Sequence, residues 1–395
     1  MSEQARGAAF SVDRFALAIA TLPLIMFGIG GDYEHPDPVH FAALTAALAG
    51  LAAVFGRRAW AGPGILLAAL ALGVYQRMTI GYHPGSDVMT TTSEALVVLS
   101  GGSDPYAHTY AMTNPPGGPL AYPPGELVFY GLAHLLGADI FRVDRMCSIV
   151  NLGIIAYLAP LVGDGLAALA VGTLAVSGDL VFHAIDGSND SSASLLMLTG
   201  VAALAWSGAV RGRASTILWF AAAVAFGWTV AFKEYAAPLA LFVALFLWRE
   251  DAARARPWIA TMVGTTAAFV LPFFLWNPLA FVRNVGGEMI AHTNVWGRNV
   301  WSDVLSLAVP QLDAITPAIP LVMAVVAVTV VVALWRRPAG SLGVALLQGC
   351  AVLATVLLLA RWTTSVYYIF LAPLTVVGVV LAFGAELERA PLQRP

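Results

Sequence analysis

Residues 316–335 read TPAIPLVMAVVAVTVVVALW, twenty positions without a charged side chain, and they stop against Arg336-Arg337. The next two runs, 341–360 (SLGVALLQGCAVLATVLLLA) and 366–384 (VYYIFLAPLTVVGVVLAFG), are built the same way and flank a short polar segment containing Arg361. Stretches of about 20 apolar residues match the roughly 30 Å hydrocarbon core of a bilayer. Toward the N-terminus, comparable runs fall near 15–31, 39–56, 63–81, 146–161, 166–185, 192–209, 214–231, 236–248 and 258–275. The pattern predicts an all-α polytopic membrane protein of about twelve transmembrane helices, read as a single unit over 1–395. Composition agrees, because 59% of the 395 residues are hydrophobic and only 11% charged, against about 25% charged in a soluble domain.

With a net charge of −3, and Lys233 the single lysine among twenty basic residues, nothing points to nucleic acid. Arginine in place of lysine, beside abundant Ala and Val, reads as a high-GC genome. Cys147 and Cys350 lie in apolar stretches without partners at metal-ligand spacing, so they read as small core residues. The first run is not read as a cleaved signal, since Pro23 interrupts it and an acidic segment follows. No Walker A loop, dinucleotide fingerprint, His-Glu-x-x-His or Gly-x-Ser-x-Gly is present, which disfavours soluble nucleotide chemistry.

Orientation follows from where the basic residues fall. With both termini cytoplasmic, Arg6, Arg14, Arg57, Arg58, Arg211, Arg213, Arg249, Arg254, Arg256, Arg336, Arg337, Arg389 and Arg394 all lie inside. That assignment requires the apolar stretch after Tyr122-Pro123-Pro124, ending near Gly137, to be re-entrant or surface-lying. Arg77, Arg142, Arg145, Lys233, Arg283, Arg298 and Arg361 then lie at or near the outer face, with all seven histidines. Individually they could snorkel to lipid headgroups. As a set, cations kept on the depleted side point to an anionic ligand there.

Two outer segments, 82–145 and 276–315, exceed ordinary loop length and carry turn chemistry and aromatics, so they are expected to be ordered. Thr91-Thr92-Ser93-Glu94 has the capping-box pattern, and Gly101-Gly102 would stop the short amphipathic helix that follows. Asp87 stands just ahead of it, either as a helix cap or as a carboxylate general base. Glu94, at i+7, is a cap or a substrate contact. In Asp186-Gly187-Ser188-Asn189-Asp190, two acids at i and i+4 can bind a cation, polyol hydroxyls or an ammonium, or form a solvated loop. Asp179 and His183 lie just before it, where a carboxylate in a membrane needs a partner or a wet cavity. Lys233 and Glu234, as i, i+1 neighbours, must each find another partner, and phosphate suits the compact Lys233 ammonium. Arg298, between Trp296 and Trp301, and Arg361, near Tyr367 and Tyr368, complete the outer cationic set, although an aromatic belt alone would explain the rings.

Asp87 in an outer loop, Leu99-Ser100-Gly101-Gly102-Ser103-Asp104-Pro105-Tyr106, Ala121-Tyr122-Pro123-Pro124, Gly187-Ser188-Asn189-Asp190, Ala231-Phe232-Lys233-Glu234-Tyr235, Trp276-Asn277-Pro278-Leu279-Ala280-Phe281 and Tyr367-Tyr368 before Pro373 occur in that order. Together, over 82–373, they resemble the GT-C superfamily of integral-membrane glycosyltransferases, and within it family 87, the polyprenol-phosphate-mannose-dependent mannosyltransferases. The resemblance implies inverting transfer of a sugar from a polyprenyl-phosphate donor to a lipid or glycan acceptor at the outer face of the cytoplasmic membrane. It implies Asp87 as base, and Lys233, Arg298, His292, Arg361 and Tyr367 as donor-phosphate contacts. Tyr122, Glu94, His183, Asp186, Asn189, Asp190 and Glu234 become substrate contacts, with no metal required and a divalent ion not excluded. In the family the catalytic acid follows the first span, whereas three runs precede Asp87 here. Either a hairpin over about 15–56 has been added, or Asp32 is the equivalent acid; Asp87 is preferred because a surface helix follows it. The rival readings are a transporter or lipid flippase, in which acids within spans such as Asp179 matter most, and an assembly subunit without chemistry.

Overall fold

In hydrocarbon no water is available to backbone N–H and C=O groups, so each apolar run closes its hydrogen bonds on itself as a helix. The computed structural model describes residue 19 and residues 61–389, apart from 84, 114–115, 176, 287–294, 304 and 306–315. The runs at 15–31 and 39–56, Asp32 and His292 lie outside the described residues.

The chain is all-α. Its principal helices are α1 (Ala61–Thr79), α2 (Val88–Ser100), α3 (Gly125–Leu135), α4 (Ile140–Tyr157), α5 (Asp164–Ala175) and α6 (Asp190–Ala209). They continue as α7 (Arg213–Phe232), α8 (Ala237–Glu250), α9 (Ala252–Trp276), α10 (Ile319–Trp335), α11 (Leu342–Leu359) and α12 (Val366–Arg389). Among the described residues, seven helical segments are long and apolar enough to cross a membrane, making this a multi-pass membrane protein.

Three expectations change. The run at 166–185 is not one helix: α5 ends at Ala175, and a five-residue helix, Gly178–Phe182, follows behind Ser177, whose hydroxyl accepts from Leu180 N–H. The bend lets the 183–190 segment fold inward. Helix α2 starts at Val88, three residues ahead of the capping-box pattern, because Asp87 C=O already accepts from Thr91 N–H at 2.9 Å. Thr91 and Thr92 are therefore interior positions, and the first half of α2 is buried in the protein. Its C-terminal stop is as expected, with Gly102 at φ 78 and Gly101 N–H bonded to Val97 C=O. The third change closes one of the two readings left open for 186–190: the loop is buried throughout, so it is not an exposed surface loop.

The stretch after Pro124 forms α3, whose 11 residues span about 16 Å, half of a bilayer core. It does not cross. Helix α11 is buried along nearly its whole length, whereas α9 and α10 expose apolar side chains such as Leu275 and Leu321, as lipid-facing helices do. Cys147 and Cys350 are both buried and free.

Close approach rests on small residues. A Cβ at Gly349 of α11 would stand 2.5 Å from Leu239 Cα of α8, and one at Gly125 2.6 Å from the Ala231 carbonyl oxygen of α7. The second contact seats α3 on the end of α7, where Trp228 Nε1–H also donates to Gly125 C=O at 2.9 Å. Gly349→Val is expected to lower the thermal midpoint by several degrees, equivalent to about 1–3 kcal/mol of overpacking. Gly153→Ala, where an added Cβ meets nothing within 4 Å, should leave it within a degree in the same melt.

Candidate functional site

The C-terminal ends of α1 and α7 meet the N-terminal ends of α2, α3, α6 and α12 at one end of the bundle. The opposite end carries Arg211, Arg213, Arg249, Arg254, Arg256, Arg336 and Arg337, with Arg249 bonded to the carbonyls of Trp335 and Arg337. Over the first end folds the 101–124 loop, held by Tyr106 O–H on Tyr122 C=O and Tyr110 O–H on Pro105 C=O, both at 2.7 Å. Asn284 Nδ2 donates to Tyr106 C=O at 2.6 Å, so the two long segments predicted to be ordered are packed on each other.

Beneath this cap lies a cavity of about 280 Å³. Its wall brings together Asp87, Tyr122, His183, Asp186, Asp190, Lys233, Glu234 and Tyr367, all singled out in the sequence. Asn189 is buried behind the wall, and Glu94 is half-buried on α2 away from it. Arg298 and Arg361 do not line the cavity. Arg298 pairs with Asp303 at 3.6 Å, and its N–H donates to Thr363 C=O in the parallel pairing of β1 (Trp296–Gly297) with β2 (Trp362–Thr363). Gly297, at φ 94, permits that pairing, because a Cβ there would collide with Thr363. Partial burial raises the Asp303 carboxyl from its ordinary value, against the opposing pull of Arg298.

Lys233 is 2% exposed, and a buried ammonium needs compensation. Asp190 Oδ2 lies 3.7 Å from Nζ, and the rings of Tyr122, Tyr235 and Tyr367 stand 4.5, 5.5 and 6.0 Å away. Tyr235 O–H donates to the other oxygen of Asp190. The cavity therefore holds its one lysine already paired with a carboxylate, with Asp87, Asp186 and Glu234 as further acids on the wall. Such a wall has the acceptors and ring faces to hold polyol hydroxyls and one ammonium to offer an anion.

Sequence reasoning passed over three groups. Glu126, in the first turn of α3, is fully buried, with Thr92 O–H donating to its Oε1 at 2.5 Å. Burial pushes its carboxyl up to about 7, against the opposing pull of Lys233 and the Thr92 hydroxyl. An acid straight after Pro-Pro-Gly was the available signal. Tyr235 lay inside a quoted motif but had no role assigned. Ser365, whose Oγ is 3.1 Å from His183 Nε2, carried no local signal.

The solved structures similar to this chain include two oligosaccharyltransferases. The Archaeoglobus fulgidus oligosaccharyltransferase, determined with zinc and sulfate, is 12% identical and superposes with a TM-score of 0.47 over 82% of this chain and 49% of its own. The archaeal oligosaccharyltransferase AglB from the same organism, determined with an inhibitory peptide and a dolichol-phosphate, is 12% identical with a TM-score of 0.46, over 85% of this chain and 51% of its own. This chain thus spans about half the length of the solved structures it matches. Neither a protein-family model nor a curated protein sequence matches it.

Glu126 has its proton affinity raised on folding, so it favours the fold most below pH 4.5 and loses that contribution as pH rises through about 7. Glu126→Gln keeps a partner for Thr92 and removes the titration. In melts from pH 4.5 to 7.5, the variant should gain on the native protein with rising pH, by up to about 3 kcal/mol.

Proposed function

We propose that the protein is a GT-C-type membrane glycosyltransferase. It transfers mannose, another pyranose or an arabinofuranose from a polyprenyl-phosphate donor to a lipid or glycan acceptor. The observation that carries this reading is one cavity in which Asp87 joins Asp186, Asp190, Lys233 and a set of tyrosines, at the end of the bundle opposite Arg211, Arg213, Arg249, Arg254, Arg256, Arg336 and Arg337. The motif order that resembles the superfamily supports it, since Asp87, the 121–124, 187–190 and 231–235 motifs and Tyr367 all contribute side chains or backbone to the cavity wall or to its backing.

In the reaction Asp87 accepts the proton of the acceptor hydroxyl as its oxygen attacks the anomeric carbon. The bond from that carbon to the phosphate oxygen breaks, and the polyprenyl phosphate leaves as an anion. Lys233 stabilises the growing charge, with Tyr367 beside it. Arg298 and Arg361 are proposed to meet the phosphate from outside the wall, and His292 is proposed as a further phosphate contact. Asp186, Asp190, Glu234, Tyr122 and His183 bind sugar hydroxyls, with Asn189 supporting them and Glu94 contacting the acceptor. The scheme requires no metal. Because arginines favour the cytoplasmic side, the termini are inside and the cavity opens at the outer face of the cytoplasmic membrane.

Purified protein given radiolabelled polyprenyl-phosphate mannose and host lipid and glycan extract should transfer label, and Asp87→Asn should transfer at least about 10²-fold more slowly. Equal transfer by both would remove Asp87 from the role of base. No transfer by folded protein, with other lipid-linked sugars also tried, would favour the transporter. For orientation, a cysteine at exposed Ser103 should react with an impermeant maleimide outside intact cells, and one at exposed Ala214 only after permeabilisation. The reverse pattern would invert the assignment.

A further inference from the structure

His183 is 1% exposed, and both of its ring nitrogens are engaged. Nδ1 is 2.6 Å from Asp186 Oδ2, and Nε2 is 3.1 Å from Ser365 Oγ. Asp186 is itself pinned. Its Oδ1 accepts from Ser188 N–H at 2.8 Å, and its carbonyl accepts from Gly85 and Ser86 N–H, each at 2.9 Å. Ser188 O–H closes the loop on His183 C=O at 2.8 Å. An ionised carboxylate only accepts hydrogen bonds, so Asp186 places the proton of neutral imidazole on Nδ1. The Nε2 lone pair is then left to accept from Ser365 O–H.

We propose that Ser365, His183 and Asp186 form a nucleophilic triad in the cavity wall, and that it cleaves a carboxylic ester of a membrane lipid through an acyl-serine intermediate. Nucleophile, base and orienting acid stand in the relation that defines such triads, which recur on unrelated folds and in different chain orders. The missing Gly-x-Ser-x-Gly pattern is therefore no obstacle. All three residues line the cavity, as do Val88, Val285, Val366 and Trp362, which supply an apolar wall for an acyl chain. Ser365 immediately precedes α12, so the positive end of that helix favours a serine oxyanion. Lys233, on the same wall, adds a positive charge for the tetrahedral oxyanion.

The step balances. Ser365 Oγ attacks the ester carbonyl carbon as His183 Nε2 takes its proton, and the carbonyl π electrons move to oxygen. As the carbonyl re-forms, the bond to the alkoxy oxygen breaks and the departing alcohol takes the proton from His183. Water then attacks the acyl-serine, giving its proton to His183, and Ser365 regains that proton as the fatty acid leaves. Asp87 takes no part in this step, whereas His183, Asp186 and Lys233 serve both reactions.

The test uses the full chain in lipid nanodiscs with a fluorophosphonate probe and mass spectrometry of the adduct. Stoichiometric labelling at Ser365 is expected, with none in Ser365→Ala and an at least 10²-fold slower rate in His183→Asn and Asp186→Asn. In Ser365→Cys, the new thiol should react with iodoacetamide faster than buried Cys147 and Cys350, and should lose that advantage when His183→Asn is added. An unlabelled native protein with an intact melting transition, labelling that persists in Ser365→Ala, or a Ser365→Cys thiol indifferent to His183 would each overturn the triad.

Discussion

A buried ammonium is tolerated only beside compensating charge, and the pairing of Lys233 with Asp190 organises the cavity end of the protein. Lys233 closes α7 and Asp190 opens α6, so their contact brings together helix ends 43 positions apart in sequence. Tyr235 holds Asp190 from its other oxygen and packs against Tyr367 and Phe370 of α12 at 5.3 Å in each case. Three helix termini are thereby tied around one ion pair. Removing either partner would leave a buried charge without the opposite charge paired with it.

That arrangement also explains why the cavity can be polar in a chain with so few charges. Helices α5 and α3 are too short to span a bilayer, and the breaks beside them turn loop 183–190 and the 119–126 segment inward. Small residues let the surrounding helices close: Gly125 meets α7 and Gly349 meets α8 at distances that admit no side chain. Polar backbone is thus confined to a place where the protein itself encloses it, as irregular structure at membrane depth requires. One wall thus carries both a group of carboxylates and a serine hydrogen-bonded to an imidazole.

Much of this was legible one residue at a time. Hydropathy marks the spans because the bilayer core has a fixed thickness, and arginine placement sorts the two ends of the bundle. Motif order brought forward Asp87, the 186–190 loop, Lys233 and Tyr367, each beside a helix end, where a local pattern and a site coincide. The start of α2 was misread because Thr91 and Thr92 have cap-forming chemistry whether or not the preceding turn is already helical. Only the Thr91 N–H to Asp87 C=O bond decides that.

The sequence alone determined the membrane, the all-α class and most of the acids and aromatics of the cavity, since all follow from short-range composition and periodicity. Tertiary structure alone decided which of them meet. Ser365 reaches His183 across 182 positions and Tyr235 reaches Asp190 across 45. Glu126 acquires its shifted proton affinity only when α3 is pressed against α7, and Arg298 is drawn from the wall to Asp303 by a strand pairing. Side-chain identity is written locally, whereas the burial and charge around it come from residues far away in the chain.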